Sequence, residues 1–87
     1  MTNQAHTGPI VDIEYTFFNN LHIFFTAGSD NQVKAWTLAP DQNSFVAQGT
    51  QPLASPPVSM TMASPSMLLI GLANGSFAGW SLENNVV

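Results

Sequence analysis

Cysteine is absent from the 87 residues, so a disulfide framework, a thiolate-ligated zinc and a thiol nucleophile are excluded. Cations are nearly absent too: Lys34 is the only one. Surfaces that bind nucleic acid displace counterions with Lys and Arg, so nucleic-acid binding is not expected. A polybasic membrane patch fails for the same reason. Charged residues make up 7% of the chain, against about 25% in an ordinary soluble domain, and the net charge is -4. Long apolar runs are missing as well. The uncharged stretch between Asp41 and Glu83 is broken by Pro52, Pro56, Pro57 and Pro65. A membrane-spanning helix needs about 20 continuous apolar residues, and none fits there. The polar start, Met1 to His6, lacks the cationic and apolar regions of a secretory signal, so an intracellular location, cytoplasmic or nuclear, is expected.

What is present is apolar residues, at 45% of the chain, kept in solution by Asn, Gln, Ser and Thr rather than by charge. A monomer of this size buries only about 60% of its unfolded surface. A small domain standing alone usually carries a charged surface of about 25–35% Lys, Arg, Glu and Asp. The scarcity of charge here points to a surface partly covered by neighbours.

The apolar residues fall in short runs between turn residues. In Pro9 to Tyr15, Val11, Ile13 and Tyr15 point one way and Asp12 and Glu14 the other, which is strand periodicity. Further strands are expected near 21–27, 32–38, 44–49, 57–61, 67–72 and 76–82. Asn19-Asn20, Gly28 to Asn31, Ala63 to Ser66 and Ala73-Asn74-Gly75 supply the turn chemistry between them. Pro40 to Asn43 and Gln51 to Pro57 read as longer connections, and Glu83 to Val87 as a truncated one. No stretch of ten residues carries a helical stripe. Even spacing with short turns predicts an all-β antiparallel meander of seven strands.

The chain also repeats itself. Trp36 and Trp80 close similar segments, FFTAGSDNQVKAWTL from Phe24 to Leu38 and LLIGLANGSFAGWSL from Leu68 to Leu82. Aligned without gaps, Thr26 faces Ile70, Asp30 faces Asn74 and Asn31 faces Gly75. Upstream, Pro9-Ile10 is equated with Pro57-Val58, which makes the first connection of the second copy four residues shorter. Four strands in a period of about 40–45 residues is the spacing of β-propeller blades.

These residues resemble the WD-repeat β-propeller family over nearly the whole chain, from His6 to Leu82. The resemblance implies a hydrogen-bonded tetrad of His6, Thr26, Asp30 and Trp36 in the first copy. The second copy departs: Ala54 stands at the His position, Ile70 replaces the Ser/Thr, Asn74 replaces the Asp, and only Trp80 is kept. The family's Trp-Asp dipeptide is Trp36-Thr37 and Trp80-Ser81 here. The expected organisation is one four-stranded blade over 1–49 and an incomplete second blade over 50–87. Two blades do not close a ring of 4–8. The chain is then a piece of a longer propeller, or copies of it associate, and a homo-oligomer is expected if it is expressed alone. A small sandwich is the alternative.

Catalytic chemistry is not expected. His6 and Asp30 could form a proton relay or half a metal site, but the tetrad accounts for both. No nucleophile completes a triad, and no Gly-x-Ser-x-Gly elbow is present. His22 is a lone imidazole. Asp12 and Glu14 share a strand face and could hold a cation, or could simply be a hydrated channel wall; two carboxylates fall short of a calcium cage. Trp36 and Trp80 are packing residues or ligand-stacking ones. Met60, Met62 and Met67 fill gaps. Phe17 and Phe18 are placed in the first connection, where one of them is either an exposed partner anchor or packs under the rim.

In WD-repeat proteins the loops entering the first strand and those joining second to third strands commonly bind peptides and proteins. The resemblance therefore implies partner-binding roles for Thr7 and Ser29; Asn31 at the same end, and Phe17 and Phe18 at the opposite end, are further candidates. The expected function is a non-enzymatic scaffold for protein–protein interaction, with no cofactor and no metal. The rival is a carbohydrate-binding propeller built from short repeats.

Overall fold

The computed structural model describes residues 6–38 and 45–82. All regular structure in them is β: β1 (Ile10–Phe18), β2 (Leu21–Gly28), β3 (Gln32–Leu38), β4 (Phe45–Pro52), β5 (Pro57–Ser64), β6 (Met67–Leu72) and β7 (Phe77–Ser81). They form two antiparallel sheets, β1-β2-β3-β4 and β5-β6-β7, each a simple meander. No helix among the described residues is long and apolar enough to cross a membrane.

Local chemistry sets the turns. Asn19 and Asn20 have φ of 57° and 63°, which lets a two-residue turn close β1 onto β2 with Phe18 opposite Leu21. Consecutive positive φ values suit the twist of a tight hairpin, and Asn tolerates them. The β2–β3 and β6–β7 turns are built alike. The Asn31 N–H donates to Gly28 O at 3.2 Å, and the Gly75 N–H donates to Leu72 O at 3.1 Å. Asn31 and Gly75, the repeat-equivalent residues, both have positive φ, 61° and 88°.

Three strands run three residues further than the sequence predicts, and β2 runs one further, to Gly28. β1 runs to Phe18, so Phe17 and Phe18 are not loop residues as expected; they pair with His22 and Leu21. Alternation then sends them to opposite faces: Phe17 is exposed, and Phe18 packs against the core. β4 continues to Pro52, which lies opposite Gln32, and β5 continues to Ser64, which lies opposite Met67. The expected connections at 40–43 and 83–87, the first residue of the strand expected at 44–49, and the residues before His6 lie outside the described residues.

The repeat register differs by one position from the sequence alignment. Ile10 pairs with Gly28, and Pro57 pairs with Leu72, the equivalent of Gly28. Ile10 therefore matches Pro57, not Val58. The backbone bonds agree, since Ser29 N–H donates to Pro9 O and Ala73 N–H donates to Pro56 O. A bulge follows in both units, at Val11 and at Val58. The His6 position is accordingly taken in the second unit by Leu53, not Ala54.

The core lies between the sheets. Ile23, Phe25, Ala27, Val33 and Ala35 on one face of the first sheet meet Met60, Leu68, Ile70, Leu72 and Trp80 on one face of the second. Phe25 and Trp80 are edge-to-face, with ring centroids 5.4 Å apart. The two backbones come closest at β1 and β5, the first strand of each sheet. Two side chains of β1 tie the sheets together there. Asp12 Oδ2 accepts from the Met60 N–H at 2.8 Å, and Thr16 Oγ1 donates to Pro65 O at 2.9 Å. Phe25→Ala is expected to lower the unfolding free energy by about 3–5 kcal/mol through the cavity it leaves. Val46→Thr, at an exposed site that keeps a β-branched residue, should stay within about 0.5 kcal/mol. Urea denaturation of both variants measures the contrast.

Candidate functional site

The turn between β2 and β3 lies against the segment that enters β1, and this brings the four tetrad residues together. His6 Nδ1 is 2.9 Å and 3.2 Å from the two Asp30 oxygens. An ionised carboxylate only accepts, so Nδ1 carries the hydrogen. Nε2 lies 2.8 Å from Thr26 Oγ1 and 3.1 Å from Thr26 O. The Trp36 indole N–H donates to Thr26 Oγ1 at 3.0 Å. Asp30 Oδ2 also accepts from the Thr7 N–H at 3.1 Å. The His6 side chain is fully buried. A buried polar cluster stabilises a fold only when its members are satisfied, and among the described residues no buried side-chain nitrogen or oxygen lacks a partner.

Burial acts to raise the Asp30 carboxyl. Hydrogen bonds from His6, from the Thr7 N–H and from the backbone of Gln32, with the nearby imidazole charge, outweigh it and hold Asp30 below the usual carboxylate range. The folded state therefore favours the ionised form.

Gly28 opens the β2–β3 turn and also has a second task. A Cβ there would sit 2.5 Å from the His6 ring and 2.8 Å from Asp30 Oδ1. Only the missing side chain leaves room for the imidazole. The second unit fills the same space differently. Leu53, Ile70 and Leu72 stand at the positions of His6, Thr26 and Gly28, and all three belong to or pack against the core. Asn74, at the Asp30 position, caps its own turn by accepting from the Ser76 N–H at 3.0 Å.

The expected partner-binding residues separate into two groups. Thr7 and Ser29 are exposed at the same end of the sheet, beside His6 and Asp30. Asn31 is half-buried and serves the turn: its carbonyl accepts from the Leu53 N–H at 2.8 Å, joining the two units. Phe17 belongs to a different surface. With Tyr15, His22, Phe24 and Phe45 it forms an aromatic row on the open face of the first sheet. Tyr15 O–H and His22 Nδ1 are 2.6 Å apart, and Phe24 and Phe45 are edge-to-face at 5.4 Å. Asp12 does not team with Glu14 as a cation site, because its oxygens are engaged by the Ile13 and Met60 N–H groups. No group of three or more metal-ligating side chains occurs among the described residues.

The sequence reading missed the ties made by Asp12 and Thr16. Their signal was the polar side of an alternating strand, which reads equally well as a solvated face. No protein-family model matches the chain, and no curated protein matches it.

Two outcomes follow from the tetrad geometry. Gly28→Ala should cost about 1–3 kcal/mol by forcing His6 out of place, measured by urea denaturation. Because the Asp30 pKa is depressed on folding, its stabilising contribution is present above the unfolded carboxyl value, about 3.9, and is lost as pH falls through the folded value. Asp30→Asn should therefore be less stable than the parent at pH 7, and the gap should narrow towards pH 3.

Proposed function

We propose that the chain is a WD-repeat-like unit of a β-propeller, one complete blade and part of the next, which serves as a non-enzymatic scaffold for protein–protein contact. The observation that carries this reading is the hydrogen-bonded set His6–Thr26–Asp30–Trp36, at the positions where the family resemblance puts it. The repeated turn geometry at Asn31 and Gly75 and the side-by-side first strands of the two sheets support it further. In this reading the tetrad is structural. It pins the β2–β3 turn to the chain entering β1, and so holds Thr7 and Ser29 as a rigid pair at one rim.

The non-enzymatic part rests on access. The only described histidine next to a carboxylate has a fully buried side chain with both ring nitrogens engaged. A sugar-binding reading needs aromatic and Asn side chains converging on one pocket. The aromatic row lies on an open sheet face instead, and Asn19, Asn20, Asn31 and Asn74 all serve turns.

The test is capture of a protein partner by the full chain, with glycan binding measured in parallel. Thr7→Ala with Ser29→Ala should weaken protein capture while leaving the circular dichroism spectrum unchanged. Unchanged capture would discard this rim, and binding on a glycan array would favour the carbohydrate reading.

A further inference from the structure

The two sheets are repeats that meet through unlike faces. The first sheet contributes the face with Phe25, Ala27, Val33 and Ala35, and the second contributes the face with Leu68, Ile70 and Trp80. By the repeat register, Leu68, Ile70 and Trp80 are equivalent to Phe24, Thr26 and Trp36, which lie on the open face of the first sheet. Likewise Phe25, Ala27, Val33 and Ala35 are equivalent to Leu69, Gly71, Phe77 and Gly79, on the open face of the second sheet. The molecule therefore leaves open one face of each of the two kinds that it joins internally.

Both open faces expose large apolar side chains beside polar ones, His22 and Lys34 on the first and Ser59 and Thr61 on the second. The first presents Ile13 at 56%, Phe17 at 52% and Tyr15 at 47% exposure, and the second presents Phe77 at 75%. Contiguous exposed apolar surface of this kind marks an interaction site. The first face carries Lys34, His22, the Tyr15 phenol and the paired His6 and Asp30, whereas the second carries no ionisable group among its described residues, so no like charges meet.

We propose that a second copy of this chain docks head-to-tail on the first, the open face of its first sheet covering the open face of the other copy's second sheet. The proposal rests on reading the two sheets as successive repeat units, and it repeats between copies the interface that exists within one. The register names the residues that meet. Within the chain, Asp12 reaches the backbone of Met60, and Phe25 touches Trp80. Between copies the equivalent contacts are Ser59 with Ile13, and Leu69 with Trp36. Such a contact joins unlike surfaces, so it propagates and closes into a ring when the rotation allows. Closed propellers of 4–8 blades correspond to about two to four copies of a two-blade chain.

The chain has no cysteine, so introduced thiols report without background. Full-length Ile13→Cys and Ser59→Cys chains would be treated with a short bis-maleimide, separately and mixed, and native mass spectrometry would be run on the parent. The expected result is a discrete multimer of the parent, and a covalent dimer in the mixture that neither variant gives alone. Phe77→Lys, at an exposed position, should dissociate the multimer without unfolding the chain. Cross-linking of Ile13→Cys to itself, with Phe77→Lys still multimeric, would mean that like faces pair and would overturn the proposal. A parent monomer that unfolds cooperatively, with Trp80 fluorescence blue-shifted in a Trp36→Phe variant, would also overturn it, while leaving the paired-sheet reading intact. A monomer in which Trp80 is solvent-exposed would sink both.

Discussion

The contact between Phe25 and Trp80 decides which way each sheet faces. Side chains alternate along a strand, so placing one residue inward places every second residue with it. With Phe25 inward, Ile23 and Ala27 follow, and Phe24 and Thr26 must face out. β3 pairs Ala35 with Phe25 and Trp36 with Phe24, so Val33 and Ala35 join the core and Trp36 joins Thr26. The hydrogen-bonded set at His6 therefore sits on the open side of the first sheet as a direct result of the packing on its other side. The same alternation in the second sheet turns Leu68, Ile70 and Trp80 inward together.

The two units show two solutions to one packing problem. In the first, a bulky imidazole lies over a glycine, and its polar atoms are satisfied by Asp30 and Thr26. In the second, leucines at the positions of His6 and Gly28 and an isoleucine at that of Thr26 occupy the space without any polar atom to satisfy. The difference follows exposure. An apolar cluster is stable where the other sheet covers it, and Ile70 is fully buried there. On an open face the same leucines would be left in water. The hydrogen-bonded set instead ties Thr26 and Trp36 to the incoming chain without needing a neighbour to exclude solvent.

Most of the strand order could be read from the sequence because alternation and turn chemistry agree. Asn19-Asn20, Gly28 to Asn31 and Asn74-Gly75 each combine residues that tolerate positive φ with flanking apolar runs. The tetrad of His6, Thr26, Asp30 and Trp36 was legible only as what the resemblance to WD-repeat blades implies, since periodicity and turn chemistry alone do not single it out. The one-residue error in the repeat register came from Pro57, which looks like the match of Pro9 when Pro56 is. Two adjacent prolines give the same signal, and only strand pairing tells them apart. Phe17 and Phe18 were placed in a loop because side-by-side aromatics are hard to bury together. The strand removes that difficulty by sending them to opposite faces. Asp12 and Thr16 were illegible for a different reason: a polar residue that ties two sheets looks, in sequence, like one that faces water.

The uneven use of these ties bears on what an isolated chain can do. Asp12 bonds the first strand of one sheet to the first strand of the next, and its repeat equivalent is Ser59, which has a shorter side chain and no charge. Large apolar residues are unevenly shared as well. Phe25 and Ala35 become Leu69 and Gly79 on the open face of the second sheet, where a Cβ on Gly79 would meet ordinary contacts with Met67, Leu69 and the Leu68 carbonyl. That face is smoother and less bonded than its internal counterpart. Burial there can still be favourable, since it scales with apolar area, but it lacks the hydrogen bond that fixes position between β1 and β5. The internal pairing is therefore the better bonded of the two, fixed in position by Asp12 in a way that Ser59 cannot reproduce.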